Sequence, residues 1–145
     1  MYFVDREKIE QTLDFLEKEI ALFLKVSELK DSFQKAVLER SVHMMIDAVL
    51  DVGNAIIDGF IMRDPGSYDD IIDILLDEKV ISNRSAENFK SVIPFRKDLV
   101  QNYLHIDHQR IYDGMNIALP SFQQFPENVR HYLENELGPV SAFKK

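Results

Sequence analysis

SFQKAVLERSVHMMIDAVLDVGNAIIDGFI, residues 32–61, runs without a proline from Ser32 to Ile61. Its apolar residues Phe33, Val37, Met44, Ala48, Val52, Ala55 and Ile56 mostly recur at helical spacing, so they mark one inward face of an α-helix. Ser32 is placed to cap its start, and the pattern carries to about Ile61. A helix this long and amphipathic packs along its length in a bundle or across a dimer. A bundle is the favoured arrangement.

The flanking sequence fits that reading. Ile9, Leu13, Leu16, Ile20 and Phe23 follow one another at steps of four and three, which predicts a helix over residues 5–26 capped by Asp5. Asp64-Pro65-Gly66 is a turn, and Ser67 with Asp70 resembles a capping box leading into a short third helix through Ile71, Ile72, Leu75 and Leu76. Ser82 or Asn83 starts a fourth helix. Pro94 falls inside its pattern, where the missing N–H predicts a kink and a fresh helical turn. Phe95, Arg96 and Lys97 then stand near a helix start, with Leu99, Val100, Tyr103 and Leu104 further along. Asp107 caps a last helical stretch, interrupted at Pro120 and Pro126 and closed by Gly138-Pro139. No useful β-alternation, repeat or linker is visible. The expected fold is an all-α, up-and-down helical bundle with one long helix, forming a single domain over residues 1–145.

Composition narrows the function. A chain of 145 residues with 46% hydrophobic and 29% charged side chains is globular rather than disordered. Without cysteine there is no disulfide, and a zinc site would have to come from four scattered histidines and carboxylates, so neither metal nor cofactor is expected. Charges at Asp5, Arg6, Glu7 and Lys8 stand where a signal peptide needs an apolar run, and no stretch reaches membrane-spanning length. The expected location is cytoplasmic. A net charge of −8 opposes non-specific attraction to DNA, RNA or anionic lipid, so any RNA contact must be local.

Two groups of side chains carry chemistry elsewhere and are read as structural here. Asp69, Asp73 and Asp77 lie at four-residue steps opposite the isoleucines and leucines, as a solvated helix face does. His43, His105, His108 and His131 form no His-x-x-x-His ligand pair.

Phe95-Arg96-Lys97-Asp98-Leu99-Val100-Gln101-Asn102-Tyr103 is the most informative stretch. It resembles the motif of the HepT-like branch of the HEPN superfamily, an arginine followed after four residues by a histidine and, two further on, a tyrosine. Arg96 and Tyr103 match, and Gln101 stands at the histidine position. The region from Arg40 through Asp51-Val52-Gly53-Asn54 to Asp64-Pro65-Gly66-Ser67-Tyr68 matches the family in order. Asp58 to Pro65 and the tail from Glu136 to Phe143 resemble a YutE-type branch.

The resemblance implies a dimeric helical bundle with paired motifs lining a cleft. It also implies an RNA-cleaving toxin, acting on tRNA or mRNA, under the control of a small nucleotidyltransferase that adenylylates the tyrosine. Metal-free RNA cleavage by the ribose 2′-hydroxyl needs a proton carrier near neutral pKa and a cation to meet developing charge. Arg96 supplies the cation. The Gln101 amide can orient a phosphate or hydroxyl but cannot act as general base. His105, one turn beyond Gln101 if the helix continues, is the substitute the spacing offers. Tyr103 is either the adenylyl acceptor or an amphipathic tyrosine with its ring in the bundle. Asp51 and Asn54 are read as buried polar partners of the site or as dimer-interface groups. Two functions remain open: a ribonuclease with Arg96, Gln101 and His105 as its machinery, or a non-catalytic dimeric module that docks a nucleotidyltransferase or a nucleotide. A purely structural role in a larger helical assembly ranks below both.

Overall fold

The computed structural model describes residues 4–138, which form five helices in the order α1 (Arg6–Phe23), α2 (Ser32–Gly59), α3 (Tyr68–Asp77), α4 (Asn83–Val100) and α5 (His108–Leu137). Four starts are set by local capping chemistry. The Asp5, Ser67, Ser82 and Asp107 side chains accept the backbone N–H of Lys8, Asp70, Ser85 and Arg110. At α2 the cap is Asp31, accepting from Gln34, and not Ser32. The end of α2 is a Schellman turn: the Ile61 N–H donates to the Asp58 carbonyl and the Met62 N–H to the Ile57 carbonyl. Ile61 there has φ 56°, unusual for a β-branched residue.

Pairings between helices fix the topology. Glu19 feels the charge of Arg40, and Asp51 that of Lys8, so α1 and α2 run antiparallel. Asp98 pairs with Arg110, Phe95 abuts Gly114 and Asn88 bonds Ser121, so α4 and α5 form a second antiparallel pair. Arg6 reaches the Gly138 carbonyl at 3.0 Å and Phe23 packs on Tyr112, which lays α5 back along α1. The long α2 touches each of the other four helices. Close α2–α3 packing needs Gly53, where a Cβ would lie 2.7 Å from Ile71 Cγ2. The α4–α5 core is aromatic, with Phe89 edge-on to Phe122 and Phe125 at 5.0 and 5.6 Å.

The inward face of α2 is broader than the expected one and only partly coincides with it: Ala48, Val52 and Ile56 are buried as expected. Leu38, Val42, Met45, Val49, Val52 and Ile56 are buried, while Val37, Met44 and Ala55 are half-buried and Phe33 is 85% exposed. A helix surrounded by four partners buries a broad arc, so its narrow stripe is poorly defined by spacing alone. The prolines also depart from expectation. Both α4 and α5 continue through Pro94, Pro120 and Pro126. Each deprives the carbonyl four residues back of its helical donor, at about 3 kcal/mol in an isolated helix interior. Tertiary packing of Val92, Phe95, Ala118, Phe122 and Phe125 on both sides of these positions offsets that cost. The acidic face is as expected: Asp69 and Asp77 are exposed, and Asp73 pairs with Lys90 at 2.5 Å. Gly138 ends α5 at φ 82°, whereas Pro139 and the tail to Phe143 lie outside the described residues. Among the described residues no helix is long and apolar enough to cross a membrane.

Candidate functional site

Arg96 lies in the last two turns of α4 and faces α2. Its Nε donates to Asp47 Oδ1 at 2.7 Å, and the other oxygen of that carboxylate is 3.0 Å from His43 Nε2. Its guanidinium carbon sits 5.0 Å from the ring centre of Tyr68, the first residue of α3. His43, Asp47 and Asp51 succeed one another at four-residue steps, so they line one face of α2. Three helices thus build one cluster: α2 supplies an imidazole and two carboxylates, α4 a cation, and α3 an aromatic surface for that cation.

The cluster is accessible without being loose. The Arg96, Asp47 and His43 side chains are 30%, 25% and 28% exposed, enough for a phosphate to approach and too little for bulk water to screen the charges fully. The bond to Asp47 holds the Arg96 guanidinium above its ordinary pKa, against partial desolvation. Desolvation first, then the like charge of Asp47, raise the Asp51 carboxyl, while Arg96 and Lys8 pull it back. Asp47 occupies only Nε of Arg96, and no described residue accepts from its two terminal nitrogens. They form a fork suited to a phosphate.

Of the other expected site residues, Asp51 lies with the cluster, whereas Gln101, Tyr103 and His105 stand at or beyond the end of α4. Gln101 is the exposed C-cap of α4, its N–H bonded to the Lys97 carbonyl at 2.8 Å. The helix stops there, so Tyr103 and His105 do not continue the Arg96 helix, and His105 is not one helical turn beyond Gln101. The physical reason is tertiary: α4 and α5 are antiparallel neighbours, and the chain must reverse between Val100 and His108. Tyr103 is 64% exposed in this connection, with its ring outside the bundle, and Leu104 beside it is 79% exposed. Asp51 is exposed rather than buried; Asn54 is half-buried on α2 and makes no side-chain hydrogen bond to the cluster. Sequence reasoning passed over His43, Asp47 and Tyr68 as site residues. The available signal was a polar line, His43–Asp47–Asp51, at four-residue steps through the most apolar part of the central helix. Among the described residues no group of three or more histidines and carboxylates is arranged to hold a metal ion.

Comparisons with known proteins agree with this architecture. A family model described as ribonuclease HepT-like matches residues 6–129. YutE of Bacillus subtilis (strain 168), given as a candidate RNase, is 51% identical over 144 residues, covering 99% of this chain and all of that protein. A solved structure of YutE, described as a cytosolic protein of unknown function, superposes with a TM-score of 0.94 at 50% identity, over 99% of this chain and 100% of that one. More distant structures share the fold. A toxin–antitoxin complex with AMP-PNP gives a TM-score of 0.73 at 17% identity, over 83% of this chain and 96% of that one. A tri-AMPylated Shewanella oneidensis HEPN toxin in complex with its MNT antitoxin gives 0.71 at 19% identity, over 86% and 95%.

Proposed function

The chain belongs to the ribonuclease HepT-like family, and from that premise we propose that it is a metal-independent RNA-cleaving toxin, active as a cytoplasmic homodimer with one HepT-like domain over residues 1–145. The observation that carries the proposal is the state of Arg96. At the motif position it is anchored by Asp47 through one nitrogen, set over the Tyr68 ring, and left with two terminal nitrogens that bond no described residue on a side chain 30% exposed. An arginine so held meets the charge that develops on phosphorus when a ribose 2′-hydroxyl attacks it. The overall charge of −8 makes this a local rather than a global attraction for tRNA or mRNA.

The partner belongs to the same proposal. A nucleotidyltransferase antitoxin adenylylates Tyr103, whose 64% exposure on the α4–α5 connection leaves its hydroxyl within reach of another protein. The added phosphate places negative charge near the RNA path. Val100, Tyr103 and Leu104, all exposed, offer apolar surface for a second copy of the chain. Purified protein incubated with total tRNA or mRNA in EDTA tests the activity. Arg96→Ala is expected to abolish cutting, and Gln101→His to raise it. Mass spectrometry of the protein co-expressed with an active nucleotidyltransferase tests Tyr103, where the absence of an adenylyl increment counts against the acceptor role.

Gln101 favours a second reading, because an amide at the histidine position moves no proton near pH 7. In that reading the dimer binds a nucleotidyltransferase or a nucleotide and cuts nothing. Silence of the natural protein together with cutting by Gln101→His distinguishes it from the first.

A further inference from the structure

Gln101 leaves the motif without a proton carrier, yet a histidine from a different helix stands against the same arginine through a shared carboxylate. We propose that His43, oriented by Asp47, is the acid–base residue of the cleavage reaction; the assignment rests on the RNA-cleaving reading above.

The geometry supplies what such a residue needs. Asp47 Oδ2 stands 3.0 Å from His43 Nε2, so the carboxylate faces that edge of the imidazole. The other ring nitrogen, Nδ1, bonds no described residue and is the one left to meet a ribose hydroxyl. Asp47 Oδ1 holds Arg96 at 2.7 Å, so one carboxylate fixes the base and the phosphate-binding cation relative to each other. With a neutral imidazole the three groups sum to zero charge. When His43 takes a proton, Asp47 lies against the new imidazolium, the arrangement by which an acid residue supports a catalytic histidine. The other histidines lack this link to Arg96. His108 is tied to Glu39 at 2.7 Å, His131 contacts Asn135 at 3.0 Å, and His105 stands exposed beyond the end of α4.

The step balances as a transesterification. His43 Nδ1 removes the proton of the ribose 2′-hydroxyl, the 2′-oxygen forms a bond to the adjacent phosphorus, and the bond from phosphorus to the 5′-oxygen breaks. Arg96 pairs with the non-bridging oxygens as negative charge gathers there. The imidazolium gives its proton through water to the departing 5′-oxygen. The products are a 2′,3′-cyclic phosphate and a 5′-hydroxyl, with no net proton, electron or co-reactant consumed. Asp47 is a positioning residue in this scheme, acting through His43 and Arg96.

The test uses the full chain, tRNA and mRNA as substrates, and EDTA throughout. His43→Ala and His43→Gln are expected to lose about 100-fold or more in cleavage rate, with cyclic-phosphate ends disappearing from the products. His131→Gln keeps the natural rate. Free imidazole added to His43→Ala restores part of the activity, a response that a merely structural residue does not give. Unfolding midpoints measured on each variant separate a lost fold from lost chemistry. If His43→Gln cuts like the natural protein, or if His105→Ala rather than His43→Ala silences it, the assignment is overturned and RNA cleavage stands. Loss in both His43 variants without imidazole rescue also overturns the acid–base role. A natural protein that cuts neither RNA overturns the ribonuclease reading and this assignment with it.

Discussion

A Cβ added at Gly114 would lie 2.6 Å from Cζ and 2.8 Å from Cε2 of Phe95. Non-bonded carbons settle at about 3.5–4.0 Å, so Gly114→Ala must displace the ring by roughly 1 Å. Phe95 is only 5% exposed and has little room to retreat. Overpacking of this kind costs about 1–3 kcal/mol, whereas replacing glycine by alanine inside a helix contributes about 0.8–1.0 kcal/mol of stability. The clash wins, and the variant is expected to be less stable by about 1 kcal/mol. Urea unfolding followed by circular dichroism reads this as a lower midpoint at unchanged slope. In a Phe95→Leu background the ring is gone and only the helical term remains, so the same substitution becomes stabilising by about 0.5–1 kcal/mol. A rise in midpoint for Gly114→Ala alone would refute the close approach of α4 and α5; the same sign in both backgrounds would refute Phe95 as its partner. Because Arg96 directly follows Phe95, a shift of α4 also moves the guanidinium from Asp47, and RNA cleavage should fall in the single variant.

Three further outcomes follow from local features. Arg63 grips Asp70 with both terminal nitrogens at 2.6 and 2.7 Å, and with the Gly66 N–H it lowers the Asp70 pKa to about 2. Its folded pKa lies below the unfolded value of about 3.9, so the stabilisation is complete above pH 4 and lost as pH falls through 2. Carbon-detected NMR titration should find the Asp70 carboxyl near that value and Arg63→Ala should return it toward the ordinary one; an unmoved titration rejects the pairing. Glu19 is buried, with Oε1 bonded to no described group, and desolvation raises its pKa against the opposing charge of Arg40. Glu19→Met should therefore stabilise the protein at pH 7 by about 1 kcal/mol, with the gap to the natural chain narrowing as pH falls and Glu19 takes up a proton; a constant gap in thermal melts from pH 7 to 4 contradicts this. Ile61, at φ 56° and 69% exposed, pays for a left-handed backbone while burying little, so Ile61→Gly should raise the unfolding midpoint by the equivalent of about 0.5–1 kcal/mol. A lowered midpoint would show that the side chain matters more than the strain.

Capping chemistry is local, which is why Asp5, Ser67 and Asp107 were legible from sequence as helix starts. The inward stripe of α1 at Ile9, Leu13, Leu16, Ile20 and Phe23 was equally plain, because that helix has one buried side. The α2 stripe was legible only in part, at Ala48, Val52 and Ile56, since all its neighbours compete for its surface. Pro94, Pro120 and Pro126 misled because their local penalty is outweighed by aromatic packing brought in from distant parts of the chain. The site divides in the same way. Arg96 could be singled out by its place in a motif, but the residues that hold it, Asp47 and Tyr68, come from α2 and α3 and meet it only on folding. His43 was passed over because a histidine four residues before an aspartate is unremarkable until their shared cation is seen. Tyr103 and His105 were set on a helix that has no glycine to end it; the stop comes from the α4–α5 reversal.

Arg130 of α5 is clasped by Glu10, Asp14 and Glu17 of α1 at 2.5, 3.2 and 3.4 Å. Together with Arg6 on the Gly138 carbonyl, these ties join residues 113 to 132 positions apart. Contacts so remote require nearly the whole chain to be gathered first, whereas the α1–α2 and α4–α5 hairpins close over short connections. The seam between the first and last helices is therefore the last part of the bundle to zip shut. Its charged clasp is screened by salt, so added salt should quicken opening of this seam more than it slows formation of either hairpin.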